Sequence, residues 1–404
     1  MKLESIDIPP PLTELEKDND DSNIKWDTID ISPDELNLSF VLRCGQSFRW
    51  QFNNNIWSCS FNSKIILLKQ DKFDKINNKL NFYSLPSKQH NKYEISKFIY
   101  DYFNLNINLN NLYKDWLILD KNLKLKIKNL KFNGIRILRQ DPWENLICFI
   151  CSSNNNIKRI SKMCNNLCLN YGKFILKFQN LNYYSFPNYN ELLNNSSDTN
   201  NQLELELRSL GFGYRANYIY ETCLFFKNDS NNLINLYNLR EIKDFNEKSI
   251  KINKFLLNLK GVGPKIADCV ALMSLDCHDI VPIDTHVFQI AKKNYKFNKY
   301  NSITNKNYII LKNFFKDLWG DYAGWAHTIL FTAELNDFKD MDGDGDNNYE
   351  QQLITSIKKE TKELKRKLKI QEDDVKPIIN ELTINDNGFK KRRTTRQAVQ
   401  PYTA

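Results

Sequence analysis

The chain reads Leu259-Lys260-Gly261-Val262-Gly263-Pro264-Lys265-Ile266-Ala267-Asp268-Cys269 where two apolar segments meet through a short turn. Gly261 and Gly263 permit a positive φ angle and a close backbone approach. Pro264 suits the first position of a new helix, whose free amides can then bind a phosphate. The pattern predicts a helix-hairpin-helix, a motif that binds the DNA backbone. An ordinary tight connection between two helices is the alternative.

Lys265 lies in the first turn of the second predicted helix. There the positive end of the helix dipole disfavours the charged ammonium, and a neutral amine can form a Schiff base with an aldehyde-like carbon. Cys269 and Met273 follow at steps of four residues, so all three side chains share one helix face. The spacing predicts an amine beside a soft, apolar wall. A surface lysine that buries only its stem is the alternative.

A carboxylate follows in Val281-Pro282-Ile283-Asp284-Thr285-His286, directly before another apolar stretch. Asp284 suits the N-cap of the helix that this stretch predicts. The same carboxylate can face the positive charge that develops on a sugar ring when a glycosidic bond breaks. The two roles are compatible, because capping would fix the position of the carboxylate.

Composition limits the class of protein. The 404 residues suffice for two or three domains, and the net charge of +9 permits a polyanionic partner. No apolar run approaches the roughly 20 residues of a membrane span, which excludes an integral membrane protein and a membrane partner. The amino terminus lacks the apolar core of a secretory signal, so we expect the nine cysteines to be free thiols.

The sequence predicts an α+β protein with four regions. Residues 1–25, with three consecutive prolines, are expected to be disordered. Residues 26–130 contain short runs of β-formers between polar turns, which predict an antiparallel β-sheet domain. Residues 131–338 have helical periodicity and predict a helical domain, on which the sheet packs. Residues 339–404 are charged, nearly lack aromatics and are expected to form a disordered tail. Helical periodicity is found in residues 93–112, 142–171, 203–226, 250–275 and 286–295.

Further motifs extend the pattern along the chain. They are Gly45–Trp50, Leu138–Pro142, Cys151–Ile157, Leu210–Ala216, Pro282–His286 and Trp319–Ala326. Together with the hairpin they resemble, over about residues 26–336, the helix-hairpin-helix DNA glycosylases, and within them the eukaryotic 8-oxoguanine DNA glycosylase/AP lyase family. Their order and spacing are those of the family.

The resemblance implies a catalytic pair. Lys265 matches the lysine that attacks C1′ of the damaged nucleoside, displaces the base and forms the Schiff base that permits β-elimination. Asp284 matches the aspartate that stabilises the oxocarbenium-like transition state. The chemistry implied in this way needs neither a metal nor an organic cofactor.

The resemblance also implies a base-binding site. Cys269 and Phe331 match the two walls that sandwich the flipped purine, with Met273 on the same helix face as Cys269. Gly45 matches the glycine whose carbonyl accepts from N7–H of 8-oxoguanine. His327 stands where the family has a glutamine that reads the Watson–Crick edge; a neutral imidazole offers one donor and one acceptor and replaces part of that recognition.

DNA contacts are implied at two places. The residues that match those filling the vacated stack and holding the orphaned cytosine are Asn154, Arg159, Tyr214 and Arg215. Gly261, Gly263 and His286 match the family's phosphate contacts. The implied partner is double-stranded DNA with 8-oxoguanine opposite cytosine, or formamidopyrimidine, and the protein is expected to act as a monomer.

Two other functions are alternatives. One is a glycosylase of the same superfamily with a different oxidised-base preference. The amino-terminal sheet and the Gly45–Trp50 motif argue against a relative that removes oxidised pyrimidines. The other is a non-catalytic DNA-binding repair module, which the presence of both Lys265 and Asp284 disfavours. The basic cluster Lys390–Arg393 favours the nucleus, with the mitochondrion as a second location.

Metal sites are weaker alternatives. Asp340–Asp346 resembles part of a calcium loop, but the twelfth position is Gln351 instead of glutamate, which favours an acidic linker. Two cysteine pairs, Cys148 with Cys151 and Cys164 with Cys168, lie within helical apolar runs and disfavour zinc. We expect no metal site.

Overall fold

The computed structural model describes residues 24–70, 79–127, 132–194 and 201–335. The strands are β1 (Asp27–Asp30), β2 (Gln51–Asn53), β3 (Ile56–Phe61), β4 (Lys64–Gln70), β5 (Lys79–Leu85), β6 (Phe174–Phe178) and β7 (Leu181–Tyr184). The helices are α1 (Leu38–Val41), α2 (Lys92–Tyr102), α3 (Leu109–Leu119), α4 (Lys121–Ile127), α5 (Pro142–Cys151), α6 (Ile157–Tyr171), α7 (Tyr189–Asn194), α8 (Gln202–Ser209), α9 (Arg215–Asn228), α10 (Asn231–Asn238), α11 (Phe245–Leu256), α12 (Pro264–Ser274), α13 (Thr285–Asn294), α14 (Asn305–Trp319) and α15 (Ala323–Glu334). Strands predominate in the amino-terminal part and helices in the rest, which confirms the predicted α+β class.

The first five strands form one antiparallel sheet with the order β1-β5-β4-β3-β2. Asn54 and Asn55 make the turn between β2 and β3, with φ angles of 46° and 62°. Two positive φ angles suit the two-residue turn whose twist matches that of the flanking strands, and asparagine tolerates them. The alternation in Ser47–Phe52 predicts a strand over all of these residues, but β2 begins only at Gln51, so the predicted boundary is wrong.

The two faces of the sheet pack on different elements. Alternate residues of β4 point in opposite directions, as they do in any strand. Ile66 and Leu68 join an apolar cluster with Ile99 of α2. Leu67 points the other way and clusters with Phe178 of β6. The sheet is therefore covered on one side by α2 and on the other by the β6–β7 hairpin, which the sequence did not predict.

Two almost completely buried helices, α5 and α12, form the centre of the helical region. Every residue of α5 except Glu144 is buried, and so are all residues from Ile266 to Ser274 in α12. Helices that are apolar on all sides pack against neighbours all round. The amino-terminal turn of α12, which carries Lys265, reaches the edge of this core.

The sequence predicted one continuous helix in each of residues 93–112, 142–171 and 203–226, and this was wrong. In the structure each of these segments contains parts of two helices. α5 ends at Cys151 and α6 begins at Ile157, because Asn154 between them has a φ of 44°. α8 ends at Ser209, two residues before Gly211 with a φ of 88°. Positive φ angles are incompatible with a right-handed helix. The breaks between α5 and α6 and between α8 and α9 create two surface loops, which contain the predicted DNA-binding residues Asn154 and Tyr214.

A buried ion pair joins the sheet to the helical core. Arg49 donates from Nε and Nη2 to the two carboxylate oxygens of Glu144, each at 2.7 Å. Its Nη1 donates to Ser60 Oγ of β3 at 2.8 Å. The neighbouring Gln46 donates to the Arg136 carbonyl at 2.8 Å. These bonds explain why the Gly45–Trp50 motif combines glutamine and arginine with apolar residues.

Several predictions from the sequence concern properties other than the fold. None of the described helices is long and apolar enough to cross a bilayer. All nine cysteines are buried and unpaired. In the described part of the chain, no group of three or more histidine, cysteine or acidic side chains is arranged to hold a metal. The predicted tail 339–404, with its acidic segment Asp340–Asp346 and basic cluster Lys390–Arg393, lies outside the described residues, and so does nearly all of the region 1–25.

Candidate active site

The turn between α11 and α12 has the geometry of a helical hairpin. Gly261 has a φ of 82°, and a Cβ atom on it would lie 2.3 Å from the ring of Tyr218. Glycine is therefore required there on two counts. Gly263 is exposed and is the N-cap of α12, with Pro264 in the first turn. The amides of this turn have no side-chain cap, so they can receive an anion such as a phosphate.

Lys265 lies in the first turn of α12 and is partly buried. Its Nζ is 5.3 Å from the ring centroid of Phe149 on α5, close enough for a cation–π contact. Burial raises the pKa of the neighbouring Cys269 thiol to about 11, while Lys265 opposes this rise. Cys269 therefore remains a neutral thiol and presents a soft wall beside the amine. Met273, one further turn along α12, is also buried.

Asp284 caps α13, as the sequence predicted. Its Oδ1 accepts from the amide of Val287 at 2.9 Å. The carboxylate also interacts electrostatically with Cys269 and with His327. A capping bond fixes the side chain, and partial exposure leaves it accessible from solvent. The acid thus shares one neighbourhood with Lys265.

His327 on α15 lies in the same place and is only 6% exposed. Both ring nitrogens are buried and have no hydrogen-bond partner among the described residues. Burial lowers the pKa of this imidazole to about 4, Asp284 opposes the shift and Lys265 favours it. The ring is therefore neutral at physiological pH. It stacks on Phe331, whose ring also contacts His286, with centroids 6.1 and 6.2 Å apart.

Gly45 lies between α1 and β2, where a side chain would have little room. It has a φ of 84°, and an added Cβ would lie 3.2 Å from Ile157 Cδ1 at the start of α6. Phe48, three residues later, contacts Phe149 edge to face at 5.8 Å. Because Phe149 also contacts Lys265, the Gly45–Trp50 motif and the amine adjoin the same aromatic ring.

The predicted contacts to the orphaned base lie in or directly after the two loops: Asn154 and Tyr214 are loop residues, Arg159 lies in the first turn of α6, and Arg215 is the first residue of α9. Arg215 is 2% exposed, and its guanidinium donates to the carbonyls of Ser153 and Asn154. Tyr214 donates to the Ser153 carbonyl at 3.0 Å and is 43% exposed. Arg159 is exposed and donates to the Gly211 carbonyl at 3.2 Å. Arg215 thus connects the two loops through hydrogen bonds, while Tyr214 and Asn154 are exposed to solvent.

Sequence reasoning missed three polar residues behind the site. Asp268 is buried on α12, and it accepts from Tyr308 and Lys312 of α14 at 2.6 Å each. A carboxylate within an otherwise apolar helix was a usable signal, since a buried charge requires partners. The partners themselves lie some forty residues away, and nothing in the sequence connects them to Asp268.

Comparison with known proteins agrees with this arrangement. Residues 28–146 match the family model described as 8-oxoguanine DNA glycosylase, N-terminal domain. Residues 147–311 match the model of the HhH-GPD superfamily base excision DNA repair protein. The two matched regions and the fold are thus those of a helix-hairpin-helix DNA glycosylase.

Individual relatives indicate which group of these glycosylases the chain resembles. The N-glycosylase/DNA lyase of Saccharomyces cerevisiae is 38% identical over 343 residues, covering 77% of this chain and 86% of the relative. The N-glycosylase/DNA lyase OGG1 of Arabidopsis thaliana is 34% identical over 335 residues, covering 81% and 86%. A Clostridium acetobutylicum 8-oxoguanine glycosylase/lyase, solved with DNA containing cytosine opposite 8-oxoguanine, is 28% identical with a TM-score of 0.60, covering 74% of this chain and 91% of that one.

The chain belongs to the 8-oxoguanine DNA glycosylase/AP lyase family. It is accordingly a DNA N-glycosylase with AP lyase activity. The resemblance stated from the sequence motifs is confirmed, and the alternative of a non-catalytic DNA-binding module is wrong.

Proposed function

We propose that this enzyme excises 8-oxoguanine, and also formamidopyrimidine, from duplex DNA, with a preference for cytosine as the opposite base, through a Schiff base on Lys265. The observation that carries the proposal is the placement of Lys265. It lies in the first turn of α12, beside a neutral thiol and in electrostatic contact with the groups that surround Asp284. A nucleophile and a carboxylate in one partly buried site are what lysine-based glycosylase chemistry requires.

In the proposed reaction the Lys265 amine attacks C1′ of the flipped nucleotide. The C1′–N9 bond breaks, its electron pair leaves with the base, and a proton restores the neutral base. Asp284 stabilises the positive charge on the sugar as this bond lengthens. The amine then loses a proton, the C1′–O4′ bond breaks with its electron pair and a proton going to O4′, and an imine links Nζ to C1′. Loss of a C2′ proton and cleavage of the C3′–O bond, whose electron pair leaves with the 3′ phosphate, complete the β-elimination.

The proposed base site lies between Cys269 and Phe331, with His327 at one edge. The neutral thiol and the aromatic ring supply two apolar faces for a purine. The unpaired nitrogens of His327 can exchange hydrogen bonds with the polar edge of the base. The Gly45 carbonyl would accept from N7–H, a donor that guanine lacks. Leaving such an acceptor unpaired costs about 1–3 kcal/mol, which favours the lesion.

The proposed DNA surface combines the hairpin with the two loops. The uncapped amides that follow Gly263 suit a phosphate, and the exposed His286 in the first turn of α13 is the second proposed phosphate contact. Tyr214 is the exposed aromatic that would fill the vacated stack, and Asn154 and Arg159 lie at the same surface. Arg215 would contact the orphaned cytosine from the loop junction that it stabilises. We propose that the enzyme acts as a monomer.

We also propose a nuclear location, with the mitochondrion as a second site, from the basic cluster Lys390–Arg393. Replacing these four residues with glutamine in a fluorescently tagged chain is expected to reduce nuclear accumulation. Unchanged nuclear accumulation would remove the argument for this cluster.

Borohydride trapping tests the proposed chemistry. The duplexes carry 8-oxoguanine opposite cytosine, 8-oxoguanine opposite adenine, or unmodified guanine. A covalent protein–DNA adduct that forms fastest on the cytosine duplex supports the lysine chemistry, the lesion and the opposite-base preference together. An adduct with equal rates on both lesion duplexes contradicts the preference alone. If a duplex with an oxidised pyrimidine traps faster, the different-lesion alternative holds.

A further inference from the structure

Asp268 is a buried carboxylate in the active-site helix that the chemistry above does not use. It lies three residues after Lys265 on α12 and is 3% exposed. Tyr308 donates to its Oδ2 at 2.6 Å, and Lys312 donates to its Oδ1 at 2.6 Å. Because Tyr308 and Lys312 are four residues apart, they share one face of α14. Both oxygens of the carboxylate are thus bound by a single neighbouring helix.

Tyr308 also contacts the segment that leads to Asp284. The Ile283 amide donates to the Tyr308 hydroxyl over a long distance of 3.4 Å. Ile283 is 2% exposed, so its amide needs a partner within the protein. A phenol donates one hydrogen bond and accepts others, so a single hydroxyl can serve both neighbours. Tyr308 therefore connects the helix that carries Lys265 to the residue directly before Asp284.

The direction of these hydrogen bonds is fixed by electrostatics. Burial and the adjacent Asp268 raise the pKa of Tyr308, so the phenol keeps its proton and donates to the carboxylate. Burial raises the pKa of Asp268, but Lys312 and Tyr308 favour its charged form. A carboxylate with two donors is a well-defined anchor for the tyrosine.

We propose that Tyr308, anchored by Asp268, is a positioning residue that sets the separation between Lys265 and Asp284. The inference rests on the proposed role of Lys265 as nucleophile. The two catalytic groups lie on different segments, the first turn of α12 and the cap of α13, and Tyr308 contacts both segments within three residues of each group. Misplacement of reacting groups by about 1 Å can cost roughly 100-fold in rate.

The test variant is Tyr308→Phe, which removes the hydroxyl and keeps the ring. Tyr295→Phe is the matched control, because Tyr295 donates to Asp120 Oδ2 at 2.7 Å away from the site. Each variant loses one hydrogen bond from a phenol to a carboxylate. Lys312 still donates to Asp268 at 2.6 Å, and Trp319 at 2.9 Å and the amides of Asn122 and Leu123 still donate to Asp120. The two substitutions therefore remove the same type of bond.

Single-turnover rates of base release and of borohydride trapping are measured with enzyme in excess. Affinity is measured on a duplex with a stable tetrahydrofuran abasic analogue. We expect Tyr308→Phe to lower both chemical rates about 10- to 100-fold with an affinity within about twofold of wild type. Tyr295→Phe is expected to keep the wild-type rates per folded molecule. Equal rates in the two variants overturn the positioning role.

The design separates this inference from the proposed function. If the wild-type enzyme forms no adduct, the Schiff-base chemistry is wrong. If the wild type forms the adduct and Tyr308→Phe forms it equally fast, only the positioning role is wrong. Should Tyr308→Phe not fold, Asp268→Asn takes its place. Its neutral amide is a weaker acceptor for the phenol, so the same fall in rate is expected, and a wild-type rate contradicts the proposal.

Discussion

His327 stacks on Phe331 with 6.1 Å between the ring centroids and an angle of 27° between the planes, while both imidazole nitrogens are buried without a partner in the described part of the chain. Buried polar atoms are normally paired, so an unpaired ring calls for a physical explanation. Under the proposed function, the bound base supplies the missing partners. The unpaired nitrogens then cost stability in the free enzyme and contribute recognition in the complex.

The first prediction follows from that cost. His327→Leu removes both unpaired nitrogens and is expected to leave the free energy of unfolding unchanged or to raise it by about 1 kcal/mol. Excision of 8-oxoguanine in single turnover is expected to fall about 10-fold or more, because the edge of the base loses its polar contacts. Urea unfolding and single-turnover assays on the same preparations measure the two effects.

His278→Leu is the matched control for His327→Leu. His278 is also largely enclosed, but its Nδ1 accepts from Trp325 Nε1 at 3.1 Å. Its replacement leaves the indole N–H without this acceptor and is expected to destabilise the protein by about 1–3 kcal/mol, while the excision rate per folded molecule stays the same. If His327→Leu destabilises as much as this control, the two nitrogens are paired in solution and the argument fails.

The second prediction concerns pH. Burial lowers the pKa of His327 from 6.5 to about 4, so the unfolded chain takes up a proton in this interval while the folded protein does not. Stability therefore falls as the pH drops from 6.5 to about 4, by about 1.4 kcal/mol per unit, and His327 contributes no further change outside this window. His327→Leu is expected to lose this component.

The pH prediction is measured as a difference. Free energies of unfolding at pH 7.5 and pH 5 are compared between wild type and His327→Leu. The expected extra loss for wild type is about 2 kcal/mol. Other titrating groups, including His278 with its own pKa lowered by burial, remain in both proteins and cancel. Parallel pH profiles for the two proteins would show that His327 titrates normally.

The third prediction compares two glycines of the hairpin. Gly261→Ala requires a Cβ 2.3 Å from the Tyr218 ring at a φ of 82°, and is expected to cost about 2–4 kcal/mol of stability. At Gly263 an added Cβ meets nothing within 4 Å and φ is −94°, so Gly263→Ala is expected to stay within about 0.5 kcal/mol of wild type.

The same pair separates folding from DNA contact. Gly263 is exposed at the start of α12, where an approaching phosphate backbone would meet the new methyl group. Gly263→Ala is therefore expected to weaken binding to an undamaged duplex although the protein is as stable as wild type. Thermal unfolding and fluorescence anisotropy measure the two quantities. Unchanged affinity in this stable variant rules out close approach of DNA to the hairpin.

Local patterns were enough to predict the elements that depend on neighbouring residues. The hairpin follows from Gly261 and Pro264, whose backbone preferences act within a few residues. Asp284 was correctly predicted as a cap for the same reason, since capping is a bond to the next turn. The strands β3 and β4 follow from two runs of β-forming residues and from the turn at Asn62 between them.

The remaining features depend on contacts between distant segments. The hydrogen bond between Asp268 and Tyr308 joins residues forty positions apart, and the type of neither residue indicates which residue is its partner. The Arg215 guanidinium donates to carbonyls of the Ser153–Asn154 segment, which lies some sixty residues earlier, and the sequence does not indicate these bonds. The helix break at Asn154 was missed because asparagine reaches a positive φ only as its tertiary setting demands.

The last prediction concerns the nucleophile. Lys265→Gln leaves a polar side chain about one atom shorter that cannot form an imine, so borohydride trapping is expected to disappear. Binding to the lesion duplex is expected to persist, because the hairpin amides and the exposed loops are unchanged.

Lys260→Gln is the control for Lys265→Gln. Lys260 lies five residues earlier on the same hairpin and pairs with Glu221 at 2.8 Å on the surface. Its replacement removes a similar charge from the DNA-binding face, so affinity is expected to fall modestly while trapping continues. Trapping that survives in Lys265→Gln and disappears in Lys260→Gln would move the nucleophile to the hairpin turn. Survival in both variants would place it on another element.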